Sequence, residues 1–116
     1  NKAAYADASP SIVEQLCGAG MVRVQEMSYV GTGTYGSSNK NTLTFDFVPK
    51  VVLVHNTTNG LWHMIAVSGA SSVCVNEYAK NVATLSWSGK SVAFYAVSAS
   101  QQLNGSGTTY KVVALG

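Results

Sequence analysis

Short runs of β-branched and aromatic residues, separated by clusters of Gly, Ser and Asn, occupy the chain from Met21 onward. This pattern is typical of a β-sandwich or β-barrel. The clearest alternation is at Leu43, Phe45 and Phe47, which face one side of a strand while the residues between them face the other. The pattern predicts an all-β fold, an antiparallel β-sandwich of about eight strands. The predicted strands are 21–30, 42–48, 50–56, 61–68, 72–78, 83–87, 91–98 and 108–115.

The N-terminal residues have a different pattern. Ser11 followed by Glu14 forms a capping box just after Pro10, which predicts a short helix that ends at Cys17 and Gly18. We therefore divide the chain into an N-terminal linker with a short helix, 1–20, and a sandwich domain, 21–116. Because the chain begins at Asn1, we expect it to be part of a longer protein.

The connections between the predicted strands differ in length. If successive strands run in opposite directions, the connections alternate between the two ends of the sandwich. Residues 48–49, 69–71 and 88–90 then form one end and are short, while 31–41, 57–60, 79–82 and 99–107 form the other and are rich in Asn, Ser, Gly, Gln and Tyr. Polar loops gathered at one end of a rigid scaffold are a common binding surface. Solvated turns without a ligand are an equally good interpretation.

The composition is apolar for a body of this size. Of the 116 residues, 47% are hydrophobic and 10% are charged, whereas soluble domains carry roughly 25% charged residues. A small monomer has a large surface relative to its volume, so this shortage of charge predicts that neighbouring subunits cover part of the surface. We therefore expect a homo-oligomer.

The charged residues and the apolar runs argue against two classes of partner. The seven Lys and Arg side chains give a net charge of +2, and no two of them are adjacent. A nucleic-acid-binding surface needs clustered cations, so we expect no nucleic-acid partner. The longest apolar runs, such as 51–54, are too short to cross a membrane, so we expect no membrane insertion.

Catalytic and metal chemistry have little support in the sequence. A glycoside hydrolase needs two carboxylates that face each other across a cleft, and the five carboxylates lie in no recognisable motif. Structural zinc needs Cys and His at short paired spacings, but seven residues separate His55 from His63, and Cys17 lies far from Cys74. We therefore predict a protein that is not an enzyme and has neither a metal site nor a cofactor. Two buried free thiols are favoured over a disulfide, and both remain open.

Aromatic and amide side chains at the loop-rich end are the candidates for ligand binding. Trp62 and His63 follow the loop 57–60, where a sugar ring could stack on the indole while amides bind its hydroxyls. A place in the core is an equally good interpretation for Trp62 and the favoured one for Trp87. The predicted ligand-binding residues are Tyr35, Asn39, Asn59, Trp62, His63, Asn81 and Asn104.

The chain contains YVGTGTYGSSN at 29–39 followed by LTFDFVPK at 43–50, and it ends with QLNGSGTTYKVVALG at 102–116. These segments resemble the C-terminal domains of tail-fibre-like proteins from phages and prophages of Gram-positive gut bacteria. The Phe-x-Phe-x-Pro-Lys element before a valine-rich strand is also similar to the H-type lectin sandwich. The resemblance implies a trimeric, distal module on the virion, exposed to the medium, that attaches to a bacterial cell-surface glycan. It brings no catalytic residues with it.

Three functions follow as expectations. The first is a non-catalytic receptor-binding module that acts as a homotrimer and recognises bacterial surface carbohydrate. The second is a structural, trimerisation or virion-decoration domain without a ligand of its own. The third, which has the least support, is a depolymerising enzyme.

Overall fold

The computed structural model describes residues 23–75 and 81–116. Eight strands alternate in direction along this part of the chain and form two antiparallel sheets of four strands each. The predicted N-terminal helix lies outside the described residues. The strands are β1 (Val24–Val30), β2 (Asn41–Thr44), β3 (Val51–Asn56), β4 (His63–Val67), β5 (Ser72–Cys74), β6 (Val82–Ser88), β7 (Ser91–Tyr95) and β8 (Thr109–Leu115).

The two sheets make a sandwich-like body, as the hydrophobic pattern predicted. One sheet has the strand order β1-β8-β3-β4 and the other β2-β7-β6-β5. Alternate residues of the strands point into a common core because successive side chains of a strand face opposite sides. Among the largest fully buried side chains are Tyr110, Phe94, Met64, Leu103, Val52 and Val112.

The strand predicted at 42–48 is shorter in the structure and ends at Thr44. Its partner β7 begins at Ser91, opposite Thr44, and one more backbone hydrogen bond follows this pair, from the N–H of Phe45 to the carbonyl oxygen of Lys90 at 3.0 Å. The inward alternation nevertheless continues beyond the ladder, because Phe45 and Phe47 are buried while Asp46 is exposed. Hydrophobic alternation therefore marked the buried face correctly but predicted the end of the strand too late.

Other predicted boundaries were wrong by a few residues. The strand predicted at 91–98 ends at Tyr95, where Ala96 donates its N–H to the side chain of Gln102 instead of to a neighbouring strand. The strand predicted at 61–68 covers only His63–Val67, because residues 60–62 complete the turn before it. The strand predicted at 72–78 is described only as Ser72–Cys74.

Two single-residue predictions can be compared with the fold. Cys74 is a free thiol and is exposed, so its predicted burial is wrong; on β5 Val73 points inward and Cys74 outward. Cys17 lies outside the described residues. Trp87 packs partly buried against the core, and its indole Nε1 donates a 2.8 Å hydrogen bond to the carbonyl oxygen of Ala70.

The strand directions place the connections as the sequence predicted. Segments 31–40, 57–62 and 96–108, with the flanks of the 75–81 connection, lie at one end, which we call the loop end. Segments 45–50, 68–71 and 89–90 lie at the opposite end. No described segment forms a helix with the length and apolarity needed to cross a membrane.

Candidate functional site

The loop end has a buried polar layer beneath its surface, and Gln102 is its centre. This side chain is 0% exposed, yet it makes four hydrogen bonds. Its Oε1 accepts the N–H groups of Gly36 at 2.9 Å and Ala96 at 3.0 Å. Its Nε2 donates to the carbonyl oxygen of Asn39 at 2.7 Å and to Oδ1 of Asn41 at 3.1 Å. One amide therefore joins the first loop, the start of β2 and the end of β7.

Asn104 also bonds to the 31–40 loop between β1 and β2, at a different point from Gln102. Its Oδ1 accepts the N–H of Thr32 at 3.0 Å, and its Nδ2 donates to Oγ1 of Thr32 at 2.9 Å and to the carbonyl oxygen of Thr34 at 2.8 Å. The side chain is buried. Asn104 was predicted to bind ligand, and in the structure its amide is engaged in holding the loop.

A pair of tyrosines supports this layer from the β1-β8-β3-β4 sheet. The rings of Tyr29 and Tyr110 stack with centroids 5.1 Å apart. The Tyr29 hydroxyl donates to the carbonyl oxygen of Leu103 at 2.7 Å, and the Tyr110 hydroxyl accepts the N–H of Gly105 at 2.8 Å. Burial raises the pKa of Tyr29 above its ordinary value, so this hydroxyl remains a donor; a hydrogen bond from Asn41 opposes the shift.

A cleft of about 350 Å³ opens above this layer. Its volume is within the range of small-molecule sites. Its lining combines hydroxyl and amide groups with one Lys and a few apolar side chains, so it offers both hydrogen-bond donors and hydrogen-bond acceptors to a polar ligand. The lining residues are Tyr29, Val30, Thr32, Thr34, Asn39, Lys40, Asn41, Thr42, Leu43 and Asn104.

Two predicted site residues lie in the loop that borders this cleft. Tyr35 is 50% exposed, and its carbonyl oxygen accepts a 3.3 Å hydrogen bond from Nδ2 of Asn39, which is also exposed. Nearby, Nζ of Lys40 lies 5.6 Å from the ring centroid of Tyr95. Tyr35, Asn39 and Asn104 are thus brought together by the structure.

Asn59, Trp62 and His63 belong to a second part of the loop end. The side chain of Asn56 shapes this turn, because its Oδ1 accepts the N–H of Asn59 at 2.8 Å and, at the same distance, that of Thr58. Asn59 is exposed, and Trp62 is partly buried against the core. His63 follows on β4 and shares the outward face of that strand with exposed Ile65.

Asn81 lies beside the residues that the structure does not describe. It is half-buried, and its carbonyl oxygen accepts a 2.8 Å hydrogen bond from the N–H of Val75. It is not among the residues that line the loop-end cleft. The seven predicted residues therefore all lie at the loop end but do not form one site.

Sequence reasoning missed Gln102, Asn41 and Tyr29. A polar side chain inside a loop carries no sign of burial in its own sequence, because the loop as a whole is expected to be solvated. The available signal was Gln101-Gln102-Leu103-Asn104, a run of amides around one large apolar residue. All four of these residues are buried.

The outer face of the β1-β8-β3-β4 sheet is unusually apolar. Strand register arranges its outward side chains in rows across the sheet. The first row is Val24, Leu115, Val51 and Val67, and the second is Glu26, Val113, Leu53 and Ile65. Of these, Val24, Ile65 and Val67 are each more than half exposed. We call the seven apolar members of both rows the apolar rows.

The described carboxylates lie apart from the loop-end cleft. Glu26 pairs with Lys111 on the outer sheet face, with Oε1 3.5 Å from Nζ, and Asp46 is exposed at the end opposite the loops. Within 23–75 and 81–116, no three His, Cys, Asp or Glu side chains cluster as metal ligands.

Comparison with known proteins adds no family to these observations, because no family, no curated protein and no solved structure matches the chain.

Proposed function

We propose that this chain is a non-catalytic receptor-binding module of a phage tail-fibre-like protein, which recognises bacterial cell-surface carbohydrate as a homotrimer. The observation that carries the proposal is the loop-end cleft above a fixed polar layer. Gln102 and Asn104 hold the cleft walls from below, so the exposed hydroxyl and amide groups are positioned before a ligand arrives. Such preorganisation reduces the entropy lost on binding.

The chemistry of the cleft suits a carbohydrate. A sugar offers hydroxyl groups that both donate and accept, together with the apolar C–H faces of its ring. Thr34, Asn39 and Thr42 are exposed polar side chains at the cleft, while Val30 and Leu43 add apolar surface. Tyr35 follows the lining residue Thr34 and is exposed, so its ring is available for a sugar to stack on.

The apolar rows support assembly into an oligomer. Exposed contiguous apolar patches on soluble domains mark interaction surfaces more often than chance. The rows lie on a sheet face, whereas the cleft lies at the loop end, so self-association leaves the cleft open. Assembly through Ile65 and its neighbours is therefore compatible with ligand binding.

Substitutions at the cleft test carbohydrate recognition. The probes are a glycan array and purified cell walls of Gram-positive gut bacteria. Replacing Lys40 and Thr42 together by Ala should weaken binding at least about tenfold, the loss expected when two polar contacts of about 1 kcal/mol each are removed. The matched control replaces Lys90 and Ser88, both exposed at the opposite end, by Ala and should bind normally. Equal binding by the two variants, or no binding by the unchanged protein, would contradict the proposal.

A structural or trimerisation domain without its own ligand is the second candidate, and the apolar rows favour it. Ile65→Lys should shift the sedimentation coefficient from oligomer to monomer, because it places a charge on the exposed β4 side of the apolar rows. Ser86→Lys, on the exposed face of β6, is the control and should leave assembly unchanged. A protein that assembles in this way yet binds no glycan would be a structural domain. Release of oligosaccharide from cell walls would instead indicate an enzyme.

A further inference from the structure

The two histidines of the chain are separated by seven residues in sequence but are direct neighbours in the structure. His55 on β3 and His63 on β4 are paired residues of one antiparallel ladder. Both point to the outer face of the sheet, since buried Val54 and Met64 point to the core. Strand register, and not sequence spacing, thus places two imidazoles side by side.

The hydrogen bonding of the hairpin brings this pair especially close. Asn56 donates its N–H to the carbonyl oxygen of Trp62 at 3.0 Å, so 56 and 62 are a hydrogen-bonded pair. Pairs alternate along an antiparallel ladder, so His55 and His63 form a non-hydrogen-bonded pair. In such pairs the Cα atoms are only about 4.5 Å apart and the side chains are closest.

The turn at Gly60 orients both rings. Nδ1 of His63 lies 3.0 Å from the carbonyl oxygen of Gly60, so Nδ1 carries the proton and Nε2 keeps a free lone pair. A hydrogen bond from the second ring nitrogen to a carbonyl is the usual support of a metal-binding imidazole. The ring of His55 lies over the same residue, since a Cβ on Gly60 would be 3.1 Å from Cε1 of His55 and 3.5 Å from Nε2.

The surroundings of the pair are apolar on one side and cationic on the other. A cleft of about 370 Å³ beside the histidines is lined by Leu53, Ile65 and Val113. Lys111 on β8 pairs with His55 across the ladder, and it forms an exposed ion pair with Glu26. Lys111 is therefore the charged group nearest in register to the histidines, and it opposes a second cation there.

We propose that His55 and His63 form a two-ligand site for a divalent transition-metal cation, with water in the remaining coordination positions. Imidazole nitrogen suits Cu²⁺, Ni²⁺ and Zn²⁺, whereas Ca²⁺ and Mg²⁺ prefer oxygen ligands. The site binds one cation per chain. Following the general order of affinities, Cu²⁺ binds more tightly than Ni²⁺ or Zn²⁺. This proposal is independent of carbohydrate recognition.

Titration calorimetry of the whole chain with NiCl₂, and separately with CuCl₂, tests the site. His55→Gln and His63→Gln should each weaken binding by about tenfold or more, because each removes the advantage of a second ligand held in place. The double variant should be little worse than either single one. Cys74→Ser is the matched control for an exposed soft ligand and should bind as the unchanged protein does.

Two further variants probe the geometry without removing a ligand. Gly60→Ala brings a methyl group against the His55 ring and should weaken Ni²⁺ binding without unfolding the chain. Lys111→Met removes the neighbouring positive charge and should strengthen it. With Cu²⁺, electron paramagnetic resonance should show two coordinated nitrogens.

Several results would overturn the proposal. They are no Ni²⁺ or Cu²⁺ binding by the unchanged protein, unaltered affinity in either single histidine variant, or a Cu²⁺ spectrum with one imidazole nitrogen. Unfolding in urea, measured for each variant, separates loss of the site from loss of the fold. Glycan binding measured on the same variants distinguishes failure of this site from failure of the loop-end cleft.

Discussion

Replacing Gln102 by Met should be among the most damaging substitutions of an uncharged residue in this domain. Met retains the length and straight chain of Gln but makes none of the four hydrogen bonds that the buried amide forms. Buried groups left without a partner lose the contribution of the bond and remain desolvated. Those left behind include the N–H groups of Gly36 and Ala96 and the carbonyl oxygen of Asn39.

The expected magnitude follows from counting bonds. At about 1 kcal/mol net per hydrogen bond, loss of the four gives about 4 kcal/mol, within a range of about 2–6 kcal/mol. A domain of this size has a free energy of unfolding of about 5–15 kcal/mol, so the variant should remain folded but become marginal. The neighbouring Gln101→Met is the matched control. Gln101 is also buried, but its amide makes one hydrogen bond, from Nε2 to the carbonyl oxygen of Val82 at 2.9 Å. Gln101→Met should therefore lower the free energy of unfolding by about 1 kcal/mol.

Urea denaturation measures both costs, and an unchanged m-value would show that the comparison is between like states. Amide hydrogen exchange adds a local test, because the N–H groups of Gly36 and Ala96 should exchange faster in Gln102→Met but not in Gln101→Met. If both substitutions cost the same, or if Gln102→Met costs less than about 1 kcal/mol, the amide does not hold the loop end together.

Three other substitutions test separate parts of the structure. Burial raises the pKa of Tyr29, so the contribution of its hydroxyl to the free energy of unfolding is complete below the ordinary tyrosine pKa of about 10 and is lost as the pH rises further. The free energy of unfolding in urea, measured at pH 9 and pH 11, should therefore depend less on pH in Tyr29→Phe than in the unchanged protein. In Gly31→Ala the new Cβ would collide with the carbonyl oxygen of Gly105, which should cost about 1–3 kcal/mol in the same assay; an unchanged midpoint would contradict this close approach. Trp87→Phe leaves the carbonyl of Ala70 without its indole donor and should lower the free energy of unfolding by about 1–3 kcal/mol, measured by thermal and urea unfolding.

The arrangement of the loops was predictable because it depends only on counting strands. Once consecutive strands alternate in direction, each connection must lie at the end opposite to the one before it. Small errors in strand bounds, such as the early end of β2 at Thr44, do not change the end of the sandwich at which each connection lies. The loop end was therefore located correctly from a pattern that misplaced individual boundaries.

The polar layer beneath the loops was not predictable, and Leu103 shows why. Its φ is 57°, and it is the one residue other than glycine with positive φ within 23–75 and 81–116. The left-handed region costs an ordinary residue about 1–2 kcal/mol, so local preference assigns it to glycines. The hydrogen bond from the Tyr29 hydroxyl and complete burial of the side chain stabilise Leu103 in that conformation. The donor of that hydrogen bond is 74 positions away in sequence.

The histidine pair depended on strand register, which is sensitive to a single residue. A turn at 57–60, as the hydrophobic pattern suggested, would pair residue 56 with 61 and His55 with Trp62. In the structure residues 57–61 lie between the paired positions 56 and 62, which are joined by the hydrogen bond from the N–H of Asn56 to the carbonyl oxygen of Trp62. A slip of one residue moves every side chain of a strand to the opposite face, so sequence spacing alone could neither identify nor exclude this pair.

Carbohydrate binding at the loop-end cleft and self-association through the apolar rows, both proposed above, are connected by where the two features lie. The cleft is polar and open, and a single site of that kind binds weakly, because its hydrogen bonds replace hydrogen bonds to water. The apolar rows lie away from the loops, nearest the opposite end of the same sheet, as the pairing of Val24 with Leu115 and of Val51 with Val67 shows. Subunits joined through these rows about an axis along the strands would present all their loop ends in one direction. Linked sites then bind a repeating polymer far more tightly than one site does. On this proposal Ile65→Lys, which leaves the cleft intact, should reduce binding to cell walls without reducing binding to a single soluble oligosaccharide.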